Sequence, residues 1–448
     1  MRTRIAVVAM GALAVGCSGT SDSRGDGEDT AITTAAAPTS GGDGTAEGGG
    51  PASATAGDDM DGSGPGDDDA NGNLPKFDVG SPEGEATCGG GQGNGETHSY
   101  IWIANSSQGT VSKINTQTMV EEGRYIVRPD QAGNPSRTSV ALSGNVAVAN
   151  RAGGVVKIYS NAADCIESNG TAGIQTSTGG GDILPWGTEE CIAWYTPFGY
   201  STQRPVAWAQ GDLNPATCKY DNEKLWTAGG NNAGTADVVL LDGETGAVED
   251  MVTINNVIGW AQLYGGAVDG DGNFWTVDHN WDGPSTLYRV MRNDLSVQSW
   301  PVTGQVHYGL AVDTVGRAWL CGSGGASRFD PGPQTWTHLP PINGGSALGG
   351  CMTDGQGTLW TSPYPSAQLV GIDTETVQIV NTINIPEYVH GVSIDFDGYV
   401  WGVGFSSSNA FRVDPATGNY DTFSNLVGAY TYSDMTGFAL STAGVPSG

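Results

Sequence analysis

Four stretches of the chain alternate apolar residues with small or polar ones at a period of two, and each ends on tryptophan. They read YGGAVDGDGNFW (264–275), YGLAVDTVGRAW (308–319), LGGCMTDGQGTLW (348–360) and HGVSIDFDGYVW (390–401). Trp275, Trp319, Trp360 and Trp401 are thereby spaced 44, 41 and 41 residues apart. Short period-two runs predict half-buried strands, and the Gly-containing corner before each tryptophan predicts a tight turn between two of them. A second hairpin follows in later repeats (RFDPGPQTWTHL, GIDTETVQIVNTI, RVDPATGNYDTF) and recurs upstream in KINTQTMVEEGRYIV and LLDGETGAVEDMVTI. Asp at the head of such a turn bonds its own backbone, and Gly supplies a positive φ.

Four strands in a repeat of 40–45 residues make the blade of a β-propeller. The second strands YIWIAN (100–105), NVAVAN (145–150) and KLWTAG (224–229) add three blades to the four above. The chain therefore reads as all-β, a seven-bladed β-propeller of four-stranded blades. The first blade has no inner strand of its own before it, and YSDMTGFAL (432–440) resembles the missing one. Closure by a C-terminal strand follows as an expectation, because it removes exposed sheet edges. An insertion holding Cys165, Trp186, Cys191 and Trp194 is expected over residues 160–204.

The first 96 residues follow a different pattern. Arg2 and Arg4 precede the apolar run IAVVAMGALAV and then Gly16-Cys17, which reads as an export signal over residues 1–17. The run is shorter than the twenty or so residues that a membrane span requires. AVGC resembles the lipobox of bacterial lipoproteins, which implies cleavage before Cys17 and a lipid on that residue. Ser18 in the next position implies outer-membrane sorting under the enteric rule, and an address in the cell envelope. Residues 18–96 read as a disordered Gly/Ser/Asp-rich tether, leaving 97–448 to the propeller. Within 18–75, twelve acids stand against Arg24, and no apolar residue recurs with a period. Such a stretch buries too little to offset the entropy of ordering it.

Composition agrees with the strands and narrows the partners. Gly is 71 residues, Trp 13 and charged residues only 15%, as suits a turn-rich β-protein. The net charge is −30, and from Lys76 onwards 36 acids face 15 bases. No Lys/Arg cluster exists to neutralise phosphates, so no nucleic-acid partner is expected. The expected partners are a membrane, through the lipid on Cys17, and a protein, glycan or small-molecule ligand bound by a monomer. Six cysteines remain beside Cys17: Cys88, Cys165, Cys191, Cys218, Cys321 and Cys351. An even number in an exported chain predicts disulfides, with fifteen connectivities open. Cys321–Cys351 is the preferred pair, since both fall near inner strands of neighbouring repeats.

Candidate chemistry is sparse. In a propeller blade the inner strand starts on the face where the second strand ends. His307 and His390 precede inner strands, whereas Asp278 and His279 follow a second strand. All four are expected near one mouth of the channel, together with Tyr264, Tyr308 and Trp281. A polar, His-bearing ligand site with a divalent cation is the sharp reading, and histidines satisfied by neighbouring backbone the plain one. No cofactor is called for. Asp269, Asp271 and Asn273 faintly resemble a calcium loop, but Phe274 occupies the position that needs Gly, so a tight turn is expected.

The repeat GxAVDxxGxxW with its following hairpin resembles the virginiamycin B lyase-like propellers. YIWIANSSQGTVSKINTQT (100–118) resembles the YVTN-type surface propellers. The first resemblance implies a catalytic set of two His, a Glu and a magnesium ion just after the blade tryptophans. Only Asp278 and His279, after Trp275-Thr276-Val277, match it; CGSGG after Trp319 and AGGNN after Trp226 contain neither His nor Glu. A non-catalytic binding or scaffold lipoprotein is therefore the leading reading. The rival is a lyase-like eliminase, acting on a macrocycle or polysaccharide, or a hydrolase using a divalent cation.

Overall fold

The computed structural model describes residues 99–446, apart from 232–233, 281–282, 305–307, 324, 343–346 and 433. Segments 1–17 and 18–96, with Cys17 and Cys88, lie outside the described residues, as do Trp281 and His307. The chain divides at residues 76 and 77, and every described residue belongs to the second unit.

Seven antiparallel blades follow in chain order. The inner strands of blades two to seven are Pro135–Val140, Thr202–Ala209, Leu263–Val268, Gly309–Val312, Ala347–Thr353 and Val389–Ile394. Each is followed outward by three more strands in meander order. Blade one contributes Tyr100–Asn105, Thr110–Asn115 and Glu121–Ile126, and a sheet contact joins it to blade seven at Asn105 and Ala429.

The inner position of blade one is filled by the C-terminus, as its sequence suggests. Tyr430 N–H donates to Ala104 O at 3.2 Å, and Trp102 N–H to Met435 O at 2.9 Å. Closure is looser than a full strand, however, and 438–442 form a short helix rather than its continuation. Asp434 explains the switch: its carboxylate accepts from the backbone N–H of Gly437 at 2.8 Å and Leu440 at 3.1 Å, turning the chain.

Why the repeat spells Asp six residues before Trp is visible in every late blade. The indole N–H of Trp275, Trp319, Trp360 and Trp401 donates to Asp269, Asp313, Asp354 and Asp395 at 2.9, 3.0, 3.3 and 2.8 Å. The other carboxylate oxygen caps the turn: Asp395 Oδ1 takes Asp397 N–H at 3.0 Å and Tyr399 N–H at 2.9 Å. Gly272, Gly316 and Gly398 sit in this turn at φ of 76, 81 and 83°, where a side chain is strained. The Asp269 loop is accordingly a turn, its carboxylate being held by Trp275 and by Arg289 Nε at 3.0 Å. Asp395→Ala strips the buried Trp401 N–H of its acceptor, and an expected loss of about 2–4 kcal/mol in denaturant unfolding checks this bond set.

The excursion in blade two is shorter than residues 160–204. Ile192–Thr196 is that blade's fourth strand, and Thr202–Ala209 already belongs to blade three. The non-strand part between Ile158 and Ile192 is clipped by Cys165–Cys191. Cys321–Cys351 is formed as expected, joining a second strand to the next blade's inner strand. Cys218 is also disulfide-bonded.

Candidate functional site

The first residue of each repeat segment projects at one mouth of the central channel. Arg137, Arg204, Tyr264, Tyr308, His390 and Tyr432 hold this place, one from each of six blades. Blade six contributes no side chain of this kind, because Leu348 packs into the inter-blade core. Gly350 follows, where a Cβ would come within 2.7 Å of Tyr432 Cβ. The small residue makes room for the C-terminal tyrosine.

These residues form one contiguous cluster. Tyr308 Oη lies 2.6 Å from His390 Nε2, Tyr388 Oη lies 2.7 Å from His390 Nδ1, and Tyr308 also bonds Tyr430. Tyr264 and Tyr430 hydroxyls are 3.2 Å apart. Burial, and then the charges of Arg137 and Arg151, drive His390 down to about 3. It is thus a neutral imidazole, which offers one donor and one acceptor to its two tyrosines. Burial raises the Tyr432 hydroxyl well above its ordinary value.

His279 is fully buried in the same cluster, its ring centroid 4.4 Å from Tyr264, 5.6 Å from Trp260 and 5.9 Å from Tyr308. Asp278 diverges from it. Successive strand residues face opposite ways, and the Asp278 carboxylate accepts Thr286 N–H at 2.7 Å in the neighbouring strand. Burial pushes that carboxyl up to about 6. The structure therefore brings Tyr264, Tyr308, His279 and His390 together, and aims Asp278 elsewhere.

Three arginines meet this cluster, and the histidine-centred sequence reading missed them. Arg137 is fully buried, with its Cζ 3.0 Å from the Tyr432 ring centroid and 4.7 Å from that of Tyr264. Arg204, 4% exposed, lies over Trp260 at 4.9 Å and Tyr264 at 5.0 Å. Arg151 lies over Tyr430 at 4.2 Å and is only half-buried. Arg137 Nη1 donates to Ser136 O at 3.2 Å, whereas its Nε and Nη2 have no partner among the described residues. No described carboxylate forms an ion pair with Arg137 or Arg151. Trp260, 45% exposed, stands at the rim. The signal was available: RTSVAL (137–142) and RPVAWA (204–209) align with the segments starting at Tyr264 and Tyr308. Among the described residues, no group of three His, Cys, Asp or Glu is placed to hold a metal ion.

The fold and this cluster define a seven-bladed β-propeller with buried arginines and tyrosines packed at one end of its central channel. A protein from Lactobacillus plantarum is similar, with a TM-score of 0.51 at 13% identity over 74% of this chain and 98% of its own. Virginiamycin B lyase from Staphylococcus aureus gives 0.46 at 12% identity, over 67% and 89%. The Dos1 propeller gives 0.46 at 9% identity, over 75% and 78%. At 13% identity the Lactobacillus plantarum likeness speaks to the fold alone. No protein-family model and no curated protein matches the sequence.

Proposed function

We propose that this chain is a surface-exposed, lipid-anchored binding protein, without catalysis of its own, whose propeller takes an anionic ligand at the channel mouth. Arg137 carries the ligand half of this reading. A guanidinium buried without a counter-charge is costly, and it persists here in a chain of net charge −30. With Arg151 and Arg204 it makes a local positive field inside an otherwise acidic protein, which draws anions of matching size. Arg151 is the half-exposed contact, Trp260 the flat rim, and the tyrosine hydroxyls the secondary donors. The anchor half rests on Arg2, Arg4, the apolar run and Gly16-Cys17, followed by the acidic stretch.

Calorimetric titration of the full chain with citrate tests the ligand. Binding is expected, weakening steeply with salt and by about tenfold, about 1.4 kcal/mol, in Arg151→Gln. Citrate affinity unchanged by that substitution sinks the anionic reading. Cys17→Ser is expected to abolish palmitate labelling and to release the chain from the membrane fraction. The lyase-like alternative draws on His279 in the mouth cluster. It requires a base and an electrophile converging on one substrate, and a magnesium-dependent turnover lost in His279→Ala would favour it over binding.

A further inference from the structure

A cleft of about 570 Å³ lies between blades two and three, at the other end of the propeller. Ser143 and Asn145, on its wall, belong to the turn between the inner and second strands of blade two, which faces away from the mouth. Two departures from the repeat build the rest. One is the blade-two excursion, which begins with Asn161 and the short 3-10 helix Ala162–Asp164 and is clipped at Cys165–Cys191. The other is an extra hairpin in blade three, Asp212–Asn214 with Lys219–Asp221, whose Cys218 is disulfide-bonded. Lys219 of the hairpin pairs with Asp164 of the excursion at 2.8 Å and joins the two walls. In repeat folds, insertions into the unit gather on a binding face, and here both insertions converge on one cavity.

We propose that this cleft is a carbohydrate site, for an uncharged or amine-bearing oligosaccharide. The volume lies in the range of small-ligand pockets, but such pockets are mostly apolar and this one is not. Its lining offers amides (Asn145, Asn222), carboxylates (Asp221, Glu223) and two partly buried tyrosine rings, Tyr159 and Tyr220. Alternating hydroxyls and apolar ring faces of a sugar answer that mixture of planar hydrogen-bonding groups and aromatic surface. Acids outnumber bases on the walls. Lys157 is spoken for, its buried Nζ donating to Gly243 O at 2.9 Å and pairing with Glu244 at 3.2 Å. An acidic sugar is therefore disfavoured. Glu223 sits at the floor, 8% exposed, with Ser143 Oγ 3.3 Å from its Oε2. Burial raises its carboxyl to about 7, so near neutrality it both donates and accepts, as a sugar hydroxyl requires.

The full chain titrated by calorimetry with chitotriose, its N-acetylated form and trigalacturonic acid decides the matter. Binding is expected in the order amine-bearing, neutral, acidic, and is expected to fall at least about tenfold in both Glu223→Ala and Tyr220→Ala. Glu223→Gln, which keeps the shape and both hydrogen-bonding senses, is expected to retain binding and shows that a weakened variant is still folded. The proposal is overturned if none of the three binds with a Kd below about 10 mM, if the acidic sugar binds best, or if both alanine variants bind as the parent does. Citrate titrated in parallel reads the mouth alone, so failure there leaves this result intact.

Discussion

Replacing Arg137 with methionine is expected to stabilise the propeller while abolishing its affinity for citrate. Both effects come from the same burial. The Arg137 guanidinium is fully buried, gives one hydrogen bond to Ser136 O, and has Nε and Nη2 without partners among the described residues. Its favourable contact is the Tyr432 ring, 3.0 Å from Cζ, worth about 2 kcal/mol when desolvated. Against that stands a desolvation penalty of several kcal/mol for a buried ion, and buried charges replaced by apolar residues of like volume commonly yield about 1–4 kcal/mol. Methionine has the length and flexibility to fill the space. Denaturant unfolding of the two proteins, with citrate titration beside it, measures both. If Arg137→Met unfolds more easily than the parent, the arginine serves the fold and the ligand argument loses its main support.

The second large effect is acid lability centred on His390. In the folded chain this imidazole is held down to about 3, whereas a free histidine titrates near 6.5. Between those values the unfolded chain binds a proton that the folded chain refuses. The stabilising contribution is therefore complete above pH 6.5 and is lost as pH falls towards 3. The slope is about 1.4 kcal/mol per pH unit and the full span about 5 kcal/mol. Glu223 works with the opposite sign. Its folded value of about 7 exceeds that of a free carboxyl, so its contribution is present below about pH 4.3 and is lost as pH rises through 7. A single stability curve mixes the two. The difference between the parent and His390→Gln isolates the histidine, since the amide still reaches Tyr308 and Tyr388 but does not titrate. The variant is expected to lose about one proton from the slope between pH 6.5 and 3. An unchanged slope would mean that His390 is charged in the folded protein.

Both experiments probe a place that the sequence located only in part. Repeat spacing and blade geometry put Tyr264, Tyr308, His279 and His390 at one mouth, and the structure brings these four together. The arginines at the matching positions of blades two and three escaped notice, because blade two lacks both the Asp and the Trp that mark the later repeats, and in blade three the Asp is missing and an extra hairpin separates Arg204 from Trp226. Asp278 and His279 are adjacent in sequence but face opposite sides of their strand, which spacing alone did not weigh. The cleft was beyond reach, for its walls come from residues 143–145, 157–164, 218–223 and 242–244, four separate stretches.

The sequence by itself pointed to C-terminal closure and preferred Cys321–Cys351 among fifteen connectivities, and it determined the strands and the blade count. These rest on period-two alternation and on turns such as Asp395 to Trp401, interactions that span a few residues and recur in every repeat. Only the tertiary structure decided that Arg137 stands without a counter-charge among the described residues, and where the two insertions meet. Those outcomes depend on what other blades bring to the same spot: Tyr432 beneath Arg137, and Lys219 across from Asp164. Such pairings join residues far apart in the chain, and no local pattern encodes them.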